Sequence, residues 1–137
     1  MAEKICLDTD ICVAIINGED RGENFRDAAI DSELFLTSVT VFELYLRKTR
    51  LDKVSEFLNN FNLYVLPLDQ NCALISSEIH KDLEKKGSII EFRDIFIASI
   101  AINNNCTLAT FNKKHFSKIK NLQLLDLSKT THHRWAA

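Results

Sequence analysis

Short apolar runs alternate along the chain with longer segments of helical periodicity, and several runs close on a polar or acidic residue. Lys4-Ile5-Cys6-Leu7 reads as a strand ending at Asp8, and Ile11 to Ile16 as a short helix stopped by Asn17-Gly18. Glu23 to Asp31 predicts a second helix with Phe25, Ala28, Ala29 and finally Ile30 turned inward, and Leu34-Phe35-Leu36-Thr37 a second strand. Thr37 or Ser38 can cap the next helix, Val39 to Lys48. Leu51 to Phe61 sets Val54, Phe57, Leu58 and Phe61 at helical spacing, and Leu63-Tyr64-Val65-Leu66 gives a third strand closed by Pro67. A helix from Asp69 to Lys86 ends at Gly87, a candidate left-handed cap. Glu91 to Asn104, rich in Phe92, Ile95, Phe96, Ile97 and Ile100, predicts a buried helix; Cys106 to Ala109 and Leu122 to Leu127 are the last expected strands.

Strands alternating with helices over the whole length predict an α/β fold, a parallel sheet of four to five strands with helices on both faces. With three glycines, one proline, no repeat and no low-complexity tract, a single domain over residues 1–128 is expected, followed by a polar tail, 129–137, that includes His132 and His133. A chain of 137 residues, 46% hydrophobic and 26% charged, suits one globular unit. Such a domain buries roughly 70% of its unfolded surface and needs no covalent staples. Cys6, Cys12, Cys72 and Cys106 lack C-x-x-C spacing and are read as reduced core residues, and the histidines are not spaced to complete a zinc site. No segment approaches the apolar length of a membrane span, so a cytoplasmic protein without membrane contact is expected. A net charge of −2 excludes a strongly basic surface but not a local basic patch.

Ligands of open parallel sheets bind beyond the carboxyl ends of the strands, which directs attention to the residues just after them. Asp8 ends the first strand, with Asp10 two residues on; as a helix cap Asp8 would need no ligand. Glu43 sits in the almost wholly apolar Val39 to Leu46, where Val39, Phe42 and Leu46 form one stripe and Glu43 lies at its border. A carboxylate in that position calls for a cation or donors, unless it is simply solvated. Asp94 and, three residues earlier, Glu91 open the apolar helix Phe92 to Ile102, where negative charge is also favoured by the helix dipole alone. Thr110 and Asn112 follow the Cys106 to Ala109 strand, as candidate site groups or as caps of the next turn. Hard oxygen donors of this kind suit Mg²⁺ or Mn²⁺.

These residues resemble the PIN domain and, within it, the VapC-type toxins of prokaryotic toxin–antitoxin pairs. The resemblance runs from Ile5 to about Leu127 through Leu7-Asp8-Thr9-Asp10, Thr37-Ser38-Val39 with Glu43-Leu44, Arg93-Asp94-Ile95-Phe96-Ile97-Ala98, and Ala109-Thr110-Phe111-Asn112-Lys113-Lys114-His115-Phe116. It implies a three-layer α/β/α domain and a ribonuclease in which Asp8, Glu43 and Asp94 form the acidic core that binds divalent metal. The family's fourth acidic position is often aspartate and aligns here with Asn112; Glu91 or Asp10 would restore the charge. The resemblance further implies a homodimer and a cognate antitoxin that covers the active site.

On that basis Asp8 and Asp94 are expected to ligate the principal metal, Glu43 to ligate it or orient water, and Thr110, Asn112 and Ser38 to support the site. Arg47, Lys48, Lys113 and Lys114, with Arg50 and Lys118, are candidates for holding an RNA backbone, or are solvated helix ends. Two other readings stay open: a non-catalytic PIN-like module that binds RNA or protein, and an aspartate-dependent phosphotransfer protein suggested by Asp8-Thr9-Asp10 after a strand.

Overall fold

The sheet is parallel because each strand is followed by a helix that carries the chain back to the edge where the strand began. The computed structural model describes residues 2–47 and 51–127. In chain order it runs β1 (Lys4–Leu7), α1 (Thr9–Ile16), α2 (Asp20–Ala28), β2 (Glu33–Thr37), α3 (Ser38–Leu46), α4 (Leu51–Asn60), β3 (Leu63–Leu66), α5 (Gln70–Lys85), α6 (Phe92–Asn103), β4 (Thr107–Ala109) and α7 (Lys113–Phe116). The strands pair in parallel in the order β3-β2-β1-β4. The chain therefore steps outward from β1 to β3 and then crosses back to lay β4 on the other side of β1. The carboxyl ends of β1 and β4 flank that reversal, the place where open sheets leave a crevice.

Strand alternation divides the core in two. Ile5 and Leu7 of β1, Leu36 of β2 and Ala109 of β4 pack with Ile11, Cys12 and Ile15 of α1, Phe25 of α2, Leu44 of α3 and Val54 and Phe57 of α4. The intervening residues Cys6, Phe35 and Leu108 point to the opposite face and pack with Ile79 and Leu83 of α5 and Ile95, Ala98 and Ala101 of α6. The result is the expected α/β/α sandwich, and all four cysteines are buried in it.

Local chemistry starts and stops the helices as the sequence predicts. Thr37 Oγ1 accepts the Thr40 amide at 3.0 Å to cap α3, and Asp69 Oδ1 accepts the Cys72 amide at 2.9 Å to cap α5. Gly87 follows α5 with φ +67°, the left-handed cap expected of it. Ser38 instead accepts the Leu68 amide at 3.2 Å and pins the chain after β3.

Four expectations are corrected. Leu122 to Leu127 forms no strand: only Leu124 bridges Leu108, with Leu108 N–H donating to Gln123 O and Leu125 N–H to Leu108 O, so the sheet has four strands and one bridged segment. The second helix begins at Asp20 and ends at Ala28, leaving Ile30 exposed beyond it. Phe92, the first residue of α6, is 61% exposed and lies against His80 on α5 rather than in the core. In α3 the buried positions are Thr40 and Leu44, while Phe42 and Leu46 are exposed, because the Thr37 cap turns Thr40 inward and carries the apolar stripe to the surface. Lys48, Arg50 and the tail 129–137 lie outside the described residues.

α1 and α2 meet at Gly22, where a Cβ would stand 2.5 Å from the Ala14 carbonyl carbon and 2.6 Å from its oxygen. Backbone cannot yield there as a flexible side chain would. Gly22→Ala is therefore expected to lower stability by about 1–3 kcal/mol or more, read as a shifted denaturant midpoint; an unchanged midpoint would show that α2 can slide on α1.

Candidate active site

Asp8 occupies the junction of β1 and α1, where its amide donates to Ala109 O at 2.9 Å and ties the end of β1 to the end of β4. Its carboxylate caps α1 by accepting the Thr9 amide at 2.8 Å and accepts the Thr110 hydroxyl at 2.8 Å. The capping role and the site role thus coexist in one residue. Asp10, in the first turn of α1, reaches the same end of β4: its Oδ2 accepts the Phe111 amide at 3.1 Å and lies 3.3 Å from Thr110 Oγ1. Its other oxygen, Oδ1, is buried and has no partner among the described residues.

Glu43 and Asp94 arrive from the two helical layers. Glu43 Oε1, on α3, accepts the Thr9 hydroxyl at 2.7 Å, and Arg93 Nη1 stands 3.9 Å from Oε2. Asp94, in the first turn of α6, has Oδ2 3.0 Å from His115 Nε2. These four acids line one open cleft of about 370 Å³ together with Thr9 and Asn112, and the cations on its wall are Arg21 and Arg47. A larger groove of about 730 Å³ beside Phe61 and Tyr64 lacks such a cluster.

Burial pushes the Asp8 carboxyl up from an ordinary 3.8 to about 7, with the neighbouring Asp10 charge adding to the effect and the Thr110 and Thr9 hydrogen bonds opposing it. Asp10 is also raised by burial, against donors from the Phe111 and Ile11 amides. Asp94 is raised by burial too, against the His115 contact. Three acids thus share a half-buried space in which burial outweighs the donors and charges that face them.

Of the residues expected from sequence, Asp8, Asp10, Glu43, Asp94, Asn112 and Arg47 line the cleft, with Thr110 directly behind Asp8. Glu91 does not join them: it is exposed and held by Arg93 Nε at 2.6 Å. Ser38 is engaged by the Leu68 amide, and Lys113 and Lys114 are exposed on α7 outside the cleft wall. Sequence reasoning missed Thr9, Arg21, Arg93 and His115 as site residues. Thr9, Arg93 and His115 each stand in a quoted motif, beside Asp8, Asp94 and Phe116, and that adjacency is their sequence signal; Arg21 becomes visible only through contacts across the fold.

Among the described residues no three His, Cys, Asp or Glu side chains converge tightly enough to enclose a metal ion by themselves. The orphaned Asp10 oxygen and the mutual repulsion of Asp8 and Asp10 nevertheless fit a cation. Mg²⁺ commonly takes only one or two carboxylates and keeps several waters, which matches a loose set of hard oxygen donors.

The PIN domain family model matches residues 5–122. Ribonuclease VapC2 from Rickettsia felis is 31% identical over 125 residues, covering 86% of this chain and 93% of that protein. Ribonuclease VapC1 from Methanocaldococcus jannaschii is 30% identical over 123 residues, covering 88% of this chain and 85% of its own. Among solved structures, VapBC2 from Rickettsia felis bound to a DNA fragment from its promoter superposes with a TM-score of 0.74 at 31% identity, covering 89% of this chain and 97% of that one.

A carboxyl whose folded-state value lies above its unfolded value binds more protons in the native state, so its contribution to stability is full below about 3.8 and is lost as pH rises through about 7. In EDTA, the wild type should lose stability relative to Asp8→Asn across this window, reaching a deficit on the order of 2–4 kcal/mol at pH 8. Mg²⁺ should narrow the gap by stabilising the wild type most at the high-pH end. Thermal denaturation of both proteins from pH 5 to 8 checks this; parallel curves would mean that Asp8 is not the strained group.

Proposed function

The chain belongs to the PIN domain family and, within it, to the VapC ribonucleases, and from that premise we propose that it is a divalent-metal-dependent endoribonuclease, the toxin of a toxin–antitoxin pair. The observation that carries the reading is the gathering of Asp8, Asp10, Glu43 and Asp94 in one cleft at the reversal of the sheet.

Asp8 and Asp94 would hold Mg²⁺ or Mn²⁺, with Asp10 close enough to share the charge. When bound, such an ion supplies an activated water and neutralises charge on a phosphodiester. Glu43, fixed by the Thr9 hydroxyl, orients the attacking water and accepts its proton. Thr110 keeps the Asp8 carboxylate turned, and His115 does the same for Asp94. Asn112 offers amide donors to the phosphate from the β4 side of the cleft.

RNA is the substrate of this reading and the cytoplasm its setting; no helix among the described residues is long and apolar enough to cross a membrane. Protein partners are also part of it. Phe42, Tyr45 and Leu46 on α3 and Leu51 at the start of α4 are all exposed, an apolar surface of the kind that protein interfaces use. We assign to such surfaces the contacts of a homodimer and a cognate antitoxin; the similarity to VapBC2 supports the antitoxin part of this reading.

Incubation of the purified chain with tRNA and ribosomal RNA fragments in Mg²⁺, Mn²⁺ or EDTA tests the proposal. Cleavage should require metal and should fall at least about 100-fold in Asp94→Asn and Asp8→Asn, the upper end of what loss of an outer-sphere partner does to a metal site, with circular dichroism unchanged. Full activity in either variant would refute its role. Bound RNA that is never cut, with no measurable metal affinity, would replace the nuclease by a binding module.

A further inference from the structure

Arg21 lies in the second residue position of α2, away from every motif around the acids, yet it lines the same cleft. Its guanidinium carbon stands 4.1 Å from the centre of the Phe111 ring. Glu19 engages Nε at 3.0 Å. Phe111 is itself fixed, since its amide donates to Asp10 and its ring packs at the edge of the α1 core.

A guanidinium stacked on an aromatic plane and held through Nε keeps both terminal amino groups as parallel donors, among the described residues unclaimed by any acid. That is the geometry of a bidentate phosphate contact. The side chain is 56% exposed, so RNA can reach it without displacing the fold. The platform of the fork is also fixed by the acidic site itself, since the Phe111 amide donates to Asp10 Oδ2 at 3.1 Å.

We propose that Arg21, held as a rigid fork by Phe111 and Glu19, grips a backbone phosphate of the RNA beside the acidic cleft. This inference rests on the nuclease reading and adds a substrate contact to it. Arg47 shares the cleft wall, but the stacking and Nε contacts that would pre-orient a fork belong to Arg21.

A phosphate contact is indifferent to sequence, so any RNA strand reports on it. The experiment is fluorescence anisotropy with a fluorescein-labelled single-stranded RNA of mixed sequence in Mg²⁺, over a range of salt, with RNA length checked on a gel afterwards. Arg21→Ala should weaken binding about tenfold, the change one charge-assisted hydrogen bond carries, and should flatten the slope of log Kd against log salt by about 0.7. Arg21→Lys and Phe111→Leu keep the charge and lose the fork or its platform, so both should bind more weakly than wild type with the slope retained. An Arg21→Ala protein with unchanged Kd and slope overturns the proposal, as does an Arg21→Lys protein equal to wild type. A wild type that binds no RNA overturns the nuclease reading and this contact with it, whereas wild-type binding with an inert Arg21→Ala change removes only the contact.

Discussion

The structure depends on holding a carboxylate where a carboxylate is unfavourable. Asp8 is 6% exposed at the end of β1, and Asp10 stands one short step away. Burying such charges without a cation opposes folding, so the backbone must be fixed by other means. It is: β1 is paired on both sides, the Asp8 amide is bonded to β4, and the strand's side chains are locked into two separate cores. The stable sheet keeps the acids close together, and the unbalanced charge makes the cleft attractive to a cation and to the donors around it.

The two-sided sheet also explains why the cleft draws on so much of the chain. Asp8 and Asp10 belong to the β1–α1 junction, Glu43 to a helix whose Leu44 packs in one core, and Asp94 to a helix whose Ile95 and Ala98 pack in the other. No single layer contains the site. Anything that binds all of these carboxylates links the two helical layers across the sheet edge, so occupancy and global stability must be coupled. The hydroxyl bridges from Thr9 to Glu43 and from Thr110 to Asp8 are the local form of that coupling.

The fold was legible because strand and helix periods differ and because punctuation such as Pro67 and Gly87 falls where the chain turns. It failed where tertiary context decides. Periodicity finds the apolar stripe of α3 but not the face it takes, because Thr40, a polar residue, is drawn inward by the Thr37 cap. Leu122 to Leu127 has strand composition, but β4 offers it pairing through Leu108 alone. For the site, Asp8 and Asp94 are legible because one ends a strand and the other opens an apolar helix, and Glu43 because it borders an apolar stripe. Arg21 and the contact of Thr9 are not, since a stacking partner 90 residues away and a hydroxyl contact across two helices leave no mark on local pattern.

Asn112 is the position at which the resemblance implies a departure from an aspartate, and its surroundings bear on the charge of the cleft. An amide at that position carries no charge, and the one acid of α1, Asp10, is the carboxylate that reaches the same turn. Asp10 stands across the gap: it accepts the Phe111 amide, approaches Thr110, and so sits against the turn after β4 that carries Asn112. Glu91, the other sequence candidate for this part, is diverted by its 2.6 Å contact with Arg93. Asp10 and Asp8 share the Thr110 hydroxyl on one side of the cleft, and in the proposed nuclease the Asn112 amide on the β4 side is the group assigned to the phosphate. On that proposal, an amide where the resemblance leads one to expect an aspartate puts a donor on the β4 side and leaves the metal-attracting charge at the end of β1.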